Sequence, residues 1–318
     1  MKVLIVKLSS LGDVVQTIPV VHDIAQQFPG ATIDWVVEEG FAPLLGKVRG
    51  VRRVIPIAQR RWRKTWWSAA TRSERSIFRD ALRQESYDAV IDFQGLIKSA
   101  WVAREARLAP GGFTATYANA SDACSYEWPV RFLLQRTLPM PQRIHAVARY
   151  RLLAGLALGY GLQDPAVYPI NKPEESRNHS IVFAHGTTRL DNEWPEACWI
   201  ALGQRLVEQG FRIALPHSND RELALVTRIA QALPGQADIW PRAALSKVMD
   251  AMALTMGVIG VDSGLSHMAV ALDLPHVQIF SQPRAWRAGP VGRSYQVAVG
   301  GEQAPDVETV WQAWCKLA

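Results

Sequence analysis

The chain opens with four apolar residues between two lysines, Lys2-Val3-Leu4-Ile5-Val6-Lys7, which reads as a short buried strand. From there, apolar patterns of two kinds alternate. Residues 14–27 carry a helical period that stops at Pro29-Gly30. Residues 32–38 and 51–57 read as strands, 74–85 as an amphipathic helix, 88–92 as a buried strand and 96–107 as a helix. A further strand is expected over 111–117; 120–140 show no clear period, and 145–158 are helical. Residues 164–178 hold Pro165, Pro169 and Pro173 among polar neighbours and read as a linker. The alternation then restarts, with strands at 180–185, 212–216, near Asp238, 257–261 and 276–280. Helices are expected at 196–209, 221–233, 244–253, 265–271 and, after Ala304-Pro305, 307–317. Alternating strands and helices predict parallel sheets covered on both faces. Two doubly wound domains are therefore expected, at 1–163 and 179–318. Ligands of such sheets bind beyond the carboxyl ends of the strands, here in a cleft between the domains.

Composition changes this picture little. The 318 residues are 48% apolar and 20% charged, enough for two cores and unlike a disordered chain. No apolar run approaches the ~18 residues of a membrane span. The first strand is too short and too lysine-rich for a secretory leader. Cys124, Cys198 and Cys315 are far apart, which gives no disulfide framework or zinc spacing and suits a reducing cytoplasm. No histidine spacing suggests a metal.

Charge changes it more. Residues 1–160 hold 22 Lys and Arg against 13 Asp and Glu, whereas residues 161–318 hold 13 against 16. Between Glu39 and Glu74 there are nine bases and no acid, with Trp62, Trp66 and Trp67 among them. A solvated loop face, a nucleic-acid patch and a site for an anionic acceptor at a membrane surface all suit such a segment. No zinc finger, RNA-recognition signature or basic helix accompanies it. The patch alone does not choose.

Three strand-end turns carry candidate chemistry. In Lys7-Leu8-Ser9-Ser10-Leu11-Gly12-Asp13 a strand gives way to a helix. Gly12 permits a tight turn, and Asp13 suits either a helix cap, for which Ser10 competes, or a general base. In His185-Gly186-Thr187-Thr188-Arg189 two hydroxyls and a cation could cradle a phosphate, and Pro195 suits a helix start. In Val261-Asp262-Ser263-Gly264-Leu265-Ser266-His267 a buried strand ends and a helix begins, with free amides at Gly264 and Leu265. On local sequence, Asp262 or Ser263 reads equally well as a cap and His267 as a satisfied core histidine. The first turn lacks the GxGxxG of nicotinamide enzymes, and no GxSxG hydrolase elbow occurs.

With these turns, the stretches VLIVKLSSLGDVVQTIPV, IDWVVEEGFAPL, RVIPIAQRRWRK, YDAVIDFQGLIKSA, HGTTR with EWPE, and VDSGLSHMAVALDLP resemble the bacterial ADP-heptose:lipopolysaccharide heptosyltransferases. IDWVVEEGFA and RRWRK are nearer the type I than the type II branch. The resemblance implies a GT-B fold, an α/β pair of Rossmann-like domains facing across a cleft, with the acceptor in the first domain and ADP-heptose in the second. It implies inverting transfer of L-glycero-D-manno-heptose to a Kdo residue of lipid A, with Asp13 as base and Lys7 beside the reacting groups. Ser9, Ser10, Gly12, Thr187, Thr188, Arg189, Glu222, Asp262, Ser263, Gly264, Leu265 and His267 fall at donor positions, and Arg60, Arg61, Arg63 and Lys64 where the family engages its acceptor. It further implies no metal or cofactor besides the sugar nucleotide, no nucleic-acid partner, and a cytoplasmic enzyme peripheral to the anionic inner-membrane surface. One departure stands out. Asn192 occupies the place of a phosphate-binding lysine, and Arg189, Lys7, Arg284 and Arg287 are the cations available to replace it. Residues 108–142 match weakly, so a GT-B relative with another sugar nucleotide or glycan acceptor, such as a type II enzyme, stays open on sequence.

Overall fold

The structure is a computed structural model that describes residues 1–162 and 165–317. Its contacts divide the chain into Met1–Asn171 and Lys172–Ala318. The boundary expected between residues 163 and 164, and the last residue, 318, lie outside the described residues.

Unit 1 comprises β1 (Lys2–Val6), α1 (Leu11–Thr17), α2 (Pro19–Gln27), β2 (Thr32–Glu38), α3 (Ala42–Leu45), β3 (Val51–Ile57), α4 (Gln59–Trp62), α5 (Ala69–Arg83), β4 (Ser86–Asp92), α6 (Ile97–Glu105), β5 (Arg107–Tyr117), β6 (Arg136–Leu138) and α7 (Ala146–Leu158). Its sheet runs β3-β2-β1-β4-β5-β6, all parallel. Side chains alternate across a strand, so Leu4, Val6, Val36 and Val90 face one side, where they join Phe78 and Leu82 of α5, Ala100 and Ala103 of α6, and Val130 of a 3-10 turn at Trp128–Phe132. On the other side, α7 packs against α1, α2 and the strands. The helix expected over 14–27 is two helices, because Pro19 lacks the N–H that would continue the ladder and instead opens α2. Arg151 of α7 holds Asp23 of α2 in a buried bidentate pair, Nε to Oδ2 at 2.7 Å and Nη2 to Oδ1 at 3.0 Å.

Unit 2 comprises β7 (Ser180–Ala184), α8 (Glu196–Glu208), β8 (Arg212–Leu215), α9 (Asp220–Ala232), β9 (Ala237–Ile239), α10 (Leu245–Ala253), β10 (Gly257–Val261), α11 (Gly264–Ala271), β11 (His276–Phe280), α12 (Ala285–Ala288), β12 (Gln296–Gly300) and α13 (Val307–Cys315). Its parallel sheet runs β12-β11-β10-β7-β8-β9. Gly260 in β10 allows a close approach: a Cβ there would stand 2.5 Å from Ala184 Cβ and 2.6 Å from Ser266 Oγ.

Trp35, Trp199 and Trp314 pack in the cores. Trp101 and Trp128 do not; they are 51% and 64% exposed. Trp101 lies with Ile97, Lys98 and Arg104 on the outward face of α6, whose inward face is filled by Ala100, Val102 and Ala103.

Candidate active site

In unit 1 the carboxyl ends of β1 and β4 lie in register, Val6 opposite Asp92. Lys7 therefore stands beside Phe93, whose carbonyl accepts from Lys7 Nζ at 3.2 Å. The turn that follows is pinned where Ser9 N donates to Gln94 Oε1 at 3.1 Å, and Gly12 is buried in the first turn of α1. Ser10 and Asp13 share the cap: Ser10 N and Oγ donate to Asp13 Oδ2 at 3.1 and 2.8 Å. Asp13 Oδ1 accepts from the Tyr150 hydroxyl at 2.7 Å and lies 4.0 Å from Lys7 Nζ. Lys7 Nζ also sits 4.7 Å from the centre of the Tyr150 ring. Lys7, Ser9, Ser10, Gly12 and Asp13 are thus brought together. Tyr150 is 137 positions further on, in a helix whose sequence carries no site signal. Burial, and then the charge of Asp13, hold its phenol protonated far above the ordinary range. Beneath lies Asp92, fully buried; desolvation pushes its carboxyl up to about 6 against the amides of Gln94 and Gly95 and the charge of Lys7. An acid closing the apolar run Ala89-Val90-Ile91 is the signal by which the sequence marks it.

The expected acceptor cations cluster on and after α4. Arg60, Arg63 and Lys64 are exposed and, among the described residues, in no ion pair; the Arg60 guanidinium lies over the Phe41 ring. Arg61 is different, tied to Glu39 at 3.0 Å and to Glu74 at 2.8 Å. Trp62 is the buried anchor of this segment, its Nε1 donating to Glu74 Oε2 at 2.6 Å.

Unit 2 gathers its expected residues at the ends of β7 and β10. His185 is buried against Pro216 O at 2.9 Å, and burial lowers its pKa. Gly186 lets the Glu222 carboxylate come close, since a Cβ there would stand 2.9 Å from Glu222 Oε1. Glu222 Oε2 in turn accepts from Ser218 N at 2.6 Å. Thr187 Oγ1 accepts from Arg189 N at 3.3 Å, Thr188 is exposed, and Arg189 pairs with Asp191 at 3.0 Å. Asn192 is buried, and its amide donates to Asp262 O at 3.4 Å, joining the two loops. Asp262 Oδ1 accepts from Gln278 Nε2 at 3.3 Å and faces His267 Nε2 at 3.4 Å. Burial pushes the Asp262 carboxyl up, but the His267 hydrogen bond and the charges of His267, Arg287 and Arg284 outweigh it and hold it low. Those two arginines therefore stand near the Asp262 loop. Ser263 caps α11, and the first intrahelical bond, His267 N to Ser263 O at 3.2 Å, leaves the Gly264 and Leu265 amides ahead of it.

The two turns of unit 2 lie within a match to one sequence family. The profile of glycosyltransferase family 9 (heptosyltransferase) matches residues 75–313. This chain belongs to glycosyltransferase family 9. Lipopolysaccharide heptosyltransferase 1 of Escherichia coli K12 is 40% identical, over 93% of each chain. That of Pseudomonas aeruginosa is 38% identical, over 95% of this chain and 84% of its own. The structure of E. coli heptosyltransferase WaaC with ADP superposes on the family 9 enzyme with a TM-score of 0.89 and 36% identity, covering all of both chains. E. coli heptosyltransferase II shares the fold, with a TM-score of 0.78 at 20% identity. The fold of this heptosyltransferase is GT-B, its two parallel six-stranded sheets being the pair of Rossmann-like domains.

Proposed function

We propose that this enzyme transfers L-glycero-D-manno-heptose from ADP-heptose to a Kdo hydroxyl of lipid A, with inversion. The observation that carries the reading is the Asp13 carboxylate, held at a strand end by Ser10 and Tyr150 with Lys7 4.0 Å away. Lys7 favours the ionised carboxylate, which is ready to take a proton. The acceptor oxygen attacks the anomeric carbon, the bond from that carbon to the β-phosphate oxygen breaks, ADP leaves, and the acceptor proton passes to Asp13. Unit 2 holds the donor. The Gly264 and Leu265 amides, the Thr187 and Thr188 hydroxyls, and Arg189, Arg284 and Arg287 meet the charge developing on the leaving phosphate. Glu222 lies against Gly186, where a ribose hydroxyl can be taken up. The transfer draws on no cofactor beyond ADP-heptose.

Arg60, Arg63 and Lys64 recognise the phosphates and carboxylates of the acceptor, which brings the enzyme to the cytoplasmic face of the inner membrane. Support comes from the heptosyltransferase 1 relatives and from this exposed cation cluster. The test is mass spectrometry of Kdo–lipid A incubated with enzyme and ADP-heptose. One added heptose is expected, and Asp13→Ala is expected to bind ADP-heptose without turnover. A product formed only on an already heptosylated acceptor, or full turnover by Asp13→Ala, refutes the corresponding half of the reading.

A further inference from the structure

The helical layer of unit 1 formed by α5, α6 and the turn at Trp128–Phe132 carries an outer surface unlike the rest of the unit. Five large aromatic side chains project from it and from the loop ahead of α5: Trp66, Trp67, Trp101, Trp128 and Phe132, at 66%, 63%, 51%, 64% and 67% exposure. Leaving this much aromatic surface in water is unfavourable, and exposed apolar patches of this kind mark binding faces. The aromatics fall into two groups, one on each flank of α6. Trp66 and Trp101 wall one groove of about 210 Å³ whose floor is Ile57, Trp62, Phe78 and Val102. On the far flank of α6, Ile97 N donates to Glu127 Oε2 at 2.6 Å, which sets the next turn, with its Trp128–Phe132 pair, against the helix.

Cations surround the aromatics. Arg75, Lys98, Arg104 and Arg131 are exposed and, among the described residues, in no ion pair. Of the nearby acids, Glu74 is engaged by Arg61 and Trp62, Glu105 by Arg79, and exposed Glu127 accepts from Ile97 N, so cations outnumber acids on this face. Two of the cations lie over the rings themselves, Arg104 5.4 Å from the Trp101 ring centre and Arg131 4.8 Å from that of Phe132. Rings with cations at the same level suit the boundary between acyl chains and anionic headgroups, where Trp concentrates and basic side chains are attracted. A second copy of the chain is a poor occupant, because a self-complementary contact would set this positive face against itself. No helix is long and apolar enough to cross a membrane among the described residues, so the contact is peripheral.

We infer that this face docks unit 1 onto an anionic lipid bilayer, with Trp101, Trp128 and Phe132 entering the interface and Lys98, Arg104 and Arg131 pairing with lipid phosphates. The inference rests on and deepens the membrane part of the proposed function; the groove borders the acceptor cluster at Arg63, but the residues named for docking are outside the acceptor and donor sites. Its test needs no sugar nucleotide, so it stands or fails separately from the transfer reaction.

The experiment is flotation of the full chain with phosphatidylethanolamine vesicles with and without phosphatidylglycerol, at low and high salt. Tryptophan quenching by brominated lipid is read in parallel. Binding is expected only with phosphatidylglycerol, weakening with salt and quenched by the brominated chains. Each cation near such a surface strengthens binding about five-fold, so Lys98→Glu/Arg104→Glu is expected to weaken it more than about tenfold. Trp101→Ala/Trp128→Ala/Phe132→Ala is expected to abolish quenching with an unchanged circular dichroism spectrum. Equal binding to both vesicles, or wild-type binding by both variants, overturns the inference. So does a wild-type dimer that the triple variant dissolves in sedimentation, which gives the face to a second copy. Binding to an oligonucleotide but not to vesicles overturns it in favour of nucleic acid.

Discussion

Replacing Tyr150 with Phe removes one oxygen and tests how Asp13 is tuned. The hydroxyl is buried and donates to Asp13 Oδ1 at 2.7 Å. A hydrogen bond to a charged group contributes about 1.5–3 kcal/mol. It favours the ionised carboxylate, so its loss raises the proton affinity of Asp13. At about 1.4 kcal/mol per pH unit, the acidic limb of kcat/KM is expected to move up by roughly one to two units. Tyr150 does not titrate in this range, because burial and the Asp13 charge hold its phenol protonated. The Phe ring keeps its place beside Lys7 and Phe93, whose ring centre lies 6.5 Å away, so folding is little affected. The assay is initial ADP release with Kdo–lipid A from roughly pH 5 to pH 9, with melting temperature as control. A limb that stays in place in a stably folded Tyr150→Phe enzyme refutes the argument that this bond sets the base.

Other expectations follow from burial and charge. Asp92 is raised to about 6 in the fold, so between about pH 4 and pH 6 the folded chain binds the extra proton, and stability falls by about 3 kcal/mol as pH rises; Asp92→Asn should flatten that slope in melting curves. His276, buried and lowered to about 4, has the opposite sign: unit 2 loses about 3 kcal/mol as pH drops from about 6.5 to about 4, a loss that His276→Asn should remove. Gly260→Ala drives a methyl into Ala184 and Ser266 and should cost about 1–3 kcal/mol in denaturant unfolding; a neutral result would mean that β7 and β10 can separate freely. Arg284→Ala/Arg287→Ala should raise KM for ADP-heptose about tenfold or more while KM for the acceptor holds, and an unchanged donor KM would remove these residues from the phosphate site.

Much of this was legible in the sequence because buried parallel strands are continuous apolar runs. Residues 257–261 and 276–280 have the bounds the pattern predicts. Helix α5 begins at Ala69 rather than Glu74 because Ser68 caps it through Thr71 N, ahead of the amphipathic stretch. The short strands β6 and β12 escaped because each takes its identity from a neighbour, β5 or β11, rather than from its own period. At the site, the contest between Ser10 and Asp13 for the cap has no single winner: one carboxylate oxygen serves the helix and the other faces Tyr150. Tyr150, Asn192 and the exposed Trp101 depend on packing between distant segments, which no local window contains.

The Arg151–Asp23 pair gives helix α7 a second fastening. Adjacent positions on a helix point about 100° apart, so residues 150 and 151 together fix its rotational phase as well as its distance from α1 and α2. The orientation of the Asp13 carboxylate, the proposed base, is thus governed from a helix more than a hundred residues further along the chain. Drift at the guanidinium, even to lysine, would turn the phenol away, so tolerance to change on that hidden surface should be as narrow as in the reaction centre itself.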